Sequence, residues 1–386
     1  MDTITNHTSN NEQRAGIIGT DWVSVANGIG VDLLPTVAQA DRAGEISIHA
    51  FERLRDEGIT AMLVPREYGG GGATHAEMAA VLRELGRHDP PTALTLAMHS
   101  HVVATQVWRH RHGLDASMTF SRVVEGAVFA TSGASDWVDS SGSATKVEGG
   151  YVVNARKVPI SGCEVATIAA TSFRYEVEGA APQVIHCSVP MAAEGVTVQK
   201  TWDTLGMRAT GSHTLVFDDV FVPDAAVMAT RPAAEWPALL NTVVVAAVPL
   251  IMSAYVGLAD AVVDDVRAVT AGRDAPHVIQ LVGEMMTAHT ALADVVDAMI
   301  IESQDLHFEG SDELSSRVLA RKSVATDAVI DCARLGIEAT GGMGFMRSSP
   351  LERLYRDAHG SLFHPLPAAK QLRFSGRVGV GLTPHG

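Results

Sequence analysis

The chain has 386 residues, 46% of them hydrophobic and 19% charged, which is ordinary globular composition and excludes a disordered, collagen-like or disulfide-stapled chain. Lys and Arg number 29 against 44 Asp and Glu, a formal net charge of −15. That balance argues against a nucleic-acid binder that neutralises phosphates and against attachment to an anionic membrane surface. At roughly 100–200 residues per domain the length predicts two or three domains.

The opening run MDTITNHTSNNEQ has no basic segment followed by an apolar one. It reads as a frayed polar tail rather than a secretory signal, and a cytoplasmic protein is expected. Residues 1–125 then read as helical. In FERLRDEG at 51–58, Phe51, Leu54 and Arg55 share a face and Gly58 suits a C-cap. In AEMAAVLRELG at 76–86, Met78, Val81, Leu82 and Leu85 fall at helical spacing. Between them lies the glycine-rich loop PREYGGGG at 65–72. Met98 to His101 place two histidines at i and i+2, which do not share a helix face. A polar cluster at a helix end is expected there, with a lining residue of a substrate pocket as the alternative.

From 126 to 228 the texture changes. Short β-rich runs at 151–153, 167–171, 184–189, 196–199 and 214–217 alternate with turn signals such as Gly149-Gly150 and Asp218-Asp219. A small antiparallel sandwich or barrel follows. From 229 to 386 helical periodicity returns, with one stripe at Val278, Leu281, Val282, Met285 and Met286 and another at Leu292, Val295, Val296 and Met299. No residue from Trp236 to Ala259 is charged. The stretch is long enough to cross a bilayer, but it contains Pro237, Asn241 and Pro249 and lacks a flanking basic cluster. A buried bundle helix is expected. The apolar surface of this helix and of the 278–286 stripe suggests a homodimer or homotetramer.

Motifs exclude several chemistries. The sequence has no GxxxxGK, no HExxH and no GxSxG. Cys163, Cys187 and Cys332 form no CxxC pair, and the 16 histidines show no metal spacing. The glycines at 341–344 follow a helical run rather than a strand, so they are not a dinucleotide-binding turn.

Three stretches, in this order and spacing, resemble the acyl-CoA dehydrogenase superfamily. They are FATSGASD at 129–136 with NARKVPISG at 154–162, WDTLGMRATGS at 202–212 leading to FDDVFVP at 217–223, and GGMGF at 341–345 with LERLYRDA at 351–358. The resemblance implies an α+β fold: an N-terminal helical domain, a middle β-barrel or sandwich and a C-terminal four-helix bundle. A flavin would lie between the last two. Thr131, Ser132 and Ser161 are hydroxyls beside predicted strands. On their own they read rather as turn residues bonding their own backbone. The resemblance places Thr131 and Ser132 at the flavin and Ser161 near its N5. By the same resemblance Gly341, Gly342 and Arg273 fall where FAD is held, although Glu338 replaces the family's glutamine and the Phe-Gly after the arginine is missing. FAD is expected, with FMN as the alternative.

The departures bear on activity. Family dehydrogenases abstract a proton with a glutamate. At its two known places this chain has Pro365 and Asn241. The segment RDAHGSLFH at 356–364 looks instead like the reduced-flavin monooxygenase branch, with His364 and Ser161 as the catalytic pair. That resemblance implies hydroxylation of an aromatic or heteroaromatic, indole-type substrate through a C4a-hydroperoxyflavin. An imidazole with an ordinary pKa near neutrality would serve this chemistry. With no nicotinamide motif, the flavin would come reduced from a separate reductase. The competing expectation is an acyl-CoA or acyl-carrier dehydrogenase. A catalytically silent DNA-associated member is disfavoured by the −15 charge.

Overall fold

The computed structural model describes residues 20–133 and 136–385. The polar run at 1–13 lies outside them, as do residues 134 and 135 of the first motif. The order is helices, then strands, then helices. The N-terminal helices are α1 (Trp22–Ala43), α2 (Ile48–Asp56), α3 (His75–His88), α4 (Pro90–Arg111) and α5 (Ser117–Val124). Local chemistry sets their ends. Asp21 accepts from Ser24 N–H to open α1, and Thr74 with Glu77 forms a reciprocal capping box on α3. Phe51 and Leu54 are buried on α2 while Arg55 is exposed. The pair at His99 and His101 sits inside α4 rather than at a helix end.

Among the described residues the middle region has eight strands: β1 (Phe129–Thr131), β2 (Ser143–Val147), β3 (Gly150–Ile160), β4 (Ile168–Tyr175), β5 (Gln183–Pro190), β6 (Val196–Gln199), β7 (His213–Pro223) and β8 (Val227–Pro232). The last runs past residue 228. Their order is β6-β7-β3-β2-β4-β5-β8, with β1 beside β4. Most neighbours are antiparallel, but β1–β4 and β2–β4 are parallel, so the sheet is mixed. Period-two burial builds its own core, with Phe173 and Phe217 meeting edge to face at 5.2 Å. Cys163 and Cys187 are buried in that core, which fits their lack of any motif.

The C-terminal helices are α6 (Ala238–Thr270), α7 (Pro276–Glu302), α8 (Asp312–Thr340), α9 (Pro350–Ala358) and α10 (Ala368–Gly379). Helix α6 is the uncharged one. It packs on α3, α4, α7 and α8, and 94% of its most apolar window is buried within this one chain. The membrane alternative has no support from it. Nor does it offer surface to a partner, which corrects one basis for the expected oligomer. On α7, Val278 and Met285 are buried and Leu281, Val282 and Met286 pack partly against the same core. Large exposed apolar side chains include Ile279 and Ile301 on α7 itself and Met343, Phe345, Met346 and Phe363 further on.

Backbone contact fixes where α6 runs. A Cβ on Gly257 would stand 1.9 Å from the Arg83 carbonyl oxygen, and one on Gly86 would stand 2.4 Å from that of Ala254. The two helices touch through glycine, and Arg83 pairs with Asp260 at 2.6 Å beside the crossing. Tyr255 sits between those contacts, so its position follows from theirs. Gly257→Ala should therefore lower the unfolding free energy by roughly 1–3 kcal/mol, the usual cost of overpacking, as read by chemical denaturation.

Candidate functional site

The hydroxyls converge at the ends of strands. Thr131 closes β1, paired across to Ala170, and Ser132 follows it. Two buried cations pin the loop beyond. Lys157 pairs with Asp136 at 2.8 Å and donates to the Ser141 carbonyl at 2.6 Å. Arg231 donates to the carbonyls of Trp137 at 2.8 Å and Val138 at 2.7 Å. Behind β1, Phe129 N–H donates to His99 Nδ1 at 3.1 Å. The proton must then be on Nε2, which lies 2.8 Å from the Thr60 carbonyl. Burial pushes this imidazole down to about 4, so it is a neutral strut between helix and sheet.

Ser161 follows β3 and belongs to a directed chain of hydroxyls. Thr210 Oγ1 donates to the Met207 carbonyl at 2.9 Å, because a carbonyl can only accept. Its contact with Ser212 Oγ at 2.6 Å then needs the Ser212 proton. Ser161, 2.8 Å from Ser212, must in turn donate to it. What Ser161 has left is lone pairs.

Met207 is the centre of the arrangement. Its φ of 52° lies in the left-handed region, an uncommon place for a residue with a side chain. Three groups hold it there. Asp357 accepts from its N–H at 2.5 Å, Trp202 Nε1 donates to its carbonyl at 2.9 Å, and Thr210 donates to the same oxygen. The Met207 side chain meets Gly360: a Cβ on that glycine would lie 2.9 Å from Met207 Cγ and 2.8 Å from the Tyr255 hydroxyl. That hydroxyl is 2.8 Å from His364 Nε2. Ser161 and His364 are thus each linked to Met207 through intervening residues, Ser212 and Thr210 in one case and Tyr255 and Gly360 in the other.

His364 directly follows the turn at 359–363. Burial pushes it down to about 3, helped by the nearby Lys322 charge, and burial drives Tyr255 well above its ordinary value. Both groups are uncharged near pH 7. This corrects the expectation of an imidazole titrating near neutrality. The Tyr255 O–H is the natural donor to Nε2, which leaves the imidazole proton on Nδ1. Lys322 is itself buried, pushed down to about 8 by desolvation, with Nζ 3.5 Å from the Leu366 carbonyl. Ser361 Oγ is buried without a hydrogen-bond partner.

Asn241 is no base. It receives Trp236 Nε1–H at 2.8 Å and donates to Asp312 at 2.8 Å. Arg273, Gly341 and Gly342 lie apart from the hydroxyls: they are exposed, Gly341 ends α8 at φ 65°, and Arg273 reaches Met343 Sδ at 4.0 Å. Sequence reasoning missed Tyr255, Met207, Ser212, Thr210, Asp357 and Lys322. A lysine on the apolar face of α8 was the one visible signal among them.

A cavity of about 290 Å³ opens between α4, α5, β5, β8 and the start of α6. Met118, Met228, Leu239 and Val243 form apolar walls. His101, which sequence had given only the minor reading of a pocket residue, lines it with Arg109 and Arg122. Its Nδ1 lies 3.1 Å from the Ala97 carbonyl, so Nδ1 holds the proton and Nε2 is a free acceptor. Among the described residues neither arginine has an ion-pair partner, although Asp115 feels the charge of Arg109.

The comparisons with known proteins match this architecture segment by segment. The N-terminal, middle and C-terminal domains of acyl-CoA dehydrogenase match residues 25–113, 131–220 and 250–366. The chain belongs to the acyl-CoA dehydrogenase superfamily. The amino sugar nitrososynthase DnmZ of Streptomyces peucetius is 28% identical over 370 residues, 88% of each chain. Dibenzothiophene monooxygenase of Rhodococcus erythropolis is 26% identical over 383 residues, 89% of each. The structure of KijD3 with FMN and dTDP-3-amino-2,3,6-trideoxy-4-keto-3-methyl-D-glucose superposes with a TM-score of 0.83 at 25% identity, covering 94% of this chain and 95% of that one.

Burial raises the Asp357 carboxyl to about 7. An unfolded aspartate titrates near 3.9, so the folded chain holds this proton to higher pH. The stabilisation is complete below that lower value and is lost as pH rises through about 7. Asp357→Asn keeps an acceptor for Met207 N–H but cannot titrate. The unfolding free energy of wild type relative to this variant should fall between pH 4 and 7 by roughly 1.4 kcal/mol per unit, measured by urea denaturation. A flat difference would mean the carboxyl ionises normally.

Proposed function

We propose that this protein is a reduced-flavin monooxygenase acting on an aromatic or heteroaromatic small molecule, with the flavin delivered by a separate reductase. The observation that carries the reading is the His364–Tyr255 pair. An uncharged imidazole and an uncharged phenol stand beside Pro365, one of the two places where the family's glutamate would be, and the nearby Asp357 is committed to Met207. The relatives support it: two are named as a nitrososynthase and a dibenzothiophene monooxygenase, and one solved neighbour holds FMN.

The donor set fits a flavin. Thr131, Ser132 and Ser161 would hold its polar edge, and the free lone pairs of Ser161 suit an N–H, which N5 carries in reduced flavin and lacks in oxidised flavin. When bound, the flavin supplies the capacity to activate O2. FMN is the form proposed, because Arg273, Gly341 and Gly342 make no contact with these hydroxyls within the chain. They would meet FAD only from a neighbouring copy in a homodimer or homotetramer. His364 would direct its Nδ1 proton at the reacting oxygen, and Tyr255 would keep the ring in that tautomer. The substrate would enter by the Arg109–Arg122 cavity, whose two unmatched guanidiniums favour a body bearing an anionic group.

His364→Ala should keep flavin affinity and O2 consumption while product falls about 10²-fold and hydrogen peroxide replaces it, measured with a flavin reductase supplying reduced FMN. Full coupling in that variant removes His364 from the chemistry. Bleaching of bound oxidised flavin by an acyl-CoA would establish the dehydrogenase instead. Thr210→Val frees the Ser212 proton to point at Ser161. The ratio of oxidised to reduced FMN dissociation constants, well above one in wild type, should then drop by about tenfold, the value of one hydrogen bond near 1.4 kcal/mol. An unchanged ratio would show that Ser161 does not read the flavin's redox state.

A further inference from the structure

A second and larger cavity lies behind Met207. This groove of about 720 Å³ runs between α1, residues 204–208, α6 and the first turn of α9. Leu34, Val37 and Leu205 form an apolar wall, and Leu34 and Leu205 are 50% and 65% exposed. The remaining lining is charged and not balanced. Arg87 pairs with Asp264 at 2.5 Å, and Arg356 holds Asp41 at 2.7 Å and Glu352 at 2.8 Å. Those contacts occupy three of the four carboxylates. Arg42 and Arg347 also line the groove, and among the described residues they have no ion-pair partner. Arg353 is only 12% exposed, yet its nearest carboxylate, Asp357, is 3.6 Å away and its Nη1 is buried without an acceptor. The remaining lining carboxyl, Asp265, is pushed up by burial, so it is less opposed to an anion than an exposed aspartate.

Three incompletely matched guanidiniums, a helix N-terminus with Ser348 and Ser349, and a neighbouring apolar wall are found on a protein whose net charge is −15. Guanidiniums that line one groove without close carboxylate partners favour an anionic ligand, which arginine holds through charge-assisted hydrogen bonds. We propose that this groove binds a small phosphate monoester, with its phosphate at Arg42, Arg347 and Arg353 beside the start of α9 and its body against Leu34, Val37 and Leu205. The site is independent of the substrate cavity, which uses Arg109 and Arg122 on other helices.

The test uses isothermal titration of the flavin-loaded protein with pyrophosphate, AMP and adenosine. Flavin saturation removes its own phosphate site from consideration. Pyrophosphate and AMP should bind saturably and adenosine should not. The exposed pair Arg42→Gln with Arg347→Gln, chosen because neither arginine supports the core, should weaken AMP at least tenfold and leave the melting temperature of the unliganded protein unchanged. Arg122→Gln should have no effect. Absence of saturable AMP binding, or binding unchanged in the double variant, overturns the proposal. Loss of binding in Arg122→Gln alone would place the phosphate in the substrate cavity and overturn it equally.

Discussion

The buried carboxylate of Asp357 holding the backbone of Met207 is the contact on which the site depends. A methionine in left-handed backbone geometry is strained, and such a residue persists only where its surroundings over-determine it. Here a carboxylate, an indole and a hydroxyl do so together. Releasing the N–H would let the segment relax. The carbonyl that orders Thr210, Ser212 and Ser161 would turn with it, and the thioether stem would leave Gly360 and the Tyr255 hydroxyl. One hydrogen bond thus sets both the direction of the hydroxyl chain and the seat of His364.

The second organising feature is charge neutrality around the proposed site. His99, His101, His364 and Tyr255 are all pushed by burial toward their uncharged forms. Each neutral ring has a fixed proton because its other nitrogen or its hydroxyl partner is engaged. A site built this way offers directed dipoles rather than mobile charge, and dipoles fixed in advance cost no reorganisation during reaction. The cations that do occur stand at the edges: Lys322 behind His364, and Arg109 and Arg122 at the mouth of the cavity.

Much of this was legible in sequence because periodicity reports burial. The β-rich runs at 151–153 and 184–189 lie in strands, and the uncharged stretch before Ala259 became a helix enclosed by its neighbours. His364 was legible because it stands where a family glutamate is absent. What escaped notice was set by backbone. Met207 looks like any methionine in a turn, and nothing in its neighbours announces a positive φ. Tyr255 sits in a run of aliphatic residues and reads as core. The hydroxyl order from Thr210 to Ser161 depends on which atom is a carbonyl, a matter of three dimensions. Parallel pairing of β1 with β4 was also invisible, because alternation tells which face is buried and not which strand lies alongside.

The clamp at Met207 joins residues 150 positions apart, and the Arg356–Asp41 pair beside it closes a span of 315. Contacts of such separation form only after most of the chain is available. During synthesis the N-terminal helices can begin to associate as they emerge, at a rate on the order of 5–20 residues per second. The site itself cannot: Met207 must wait for Asp357, 150 positions on, and Tyr255 for His364, 109 positions on. A nascent chain therefore lacks both contacts until residue 364 has been made. A chain that stops before residue 357 has the N-terminal helices and the sheet but neither contact, so under the proposed function it should not sequester flavin.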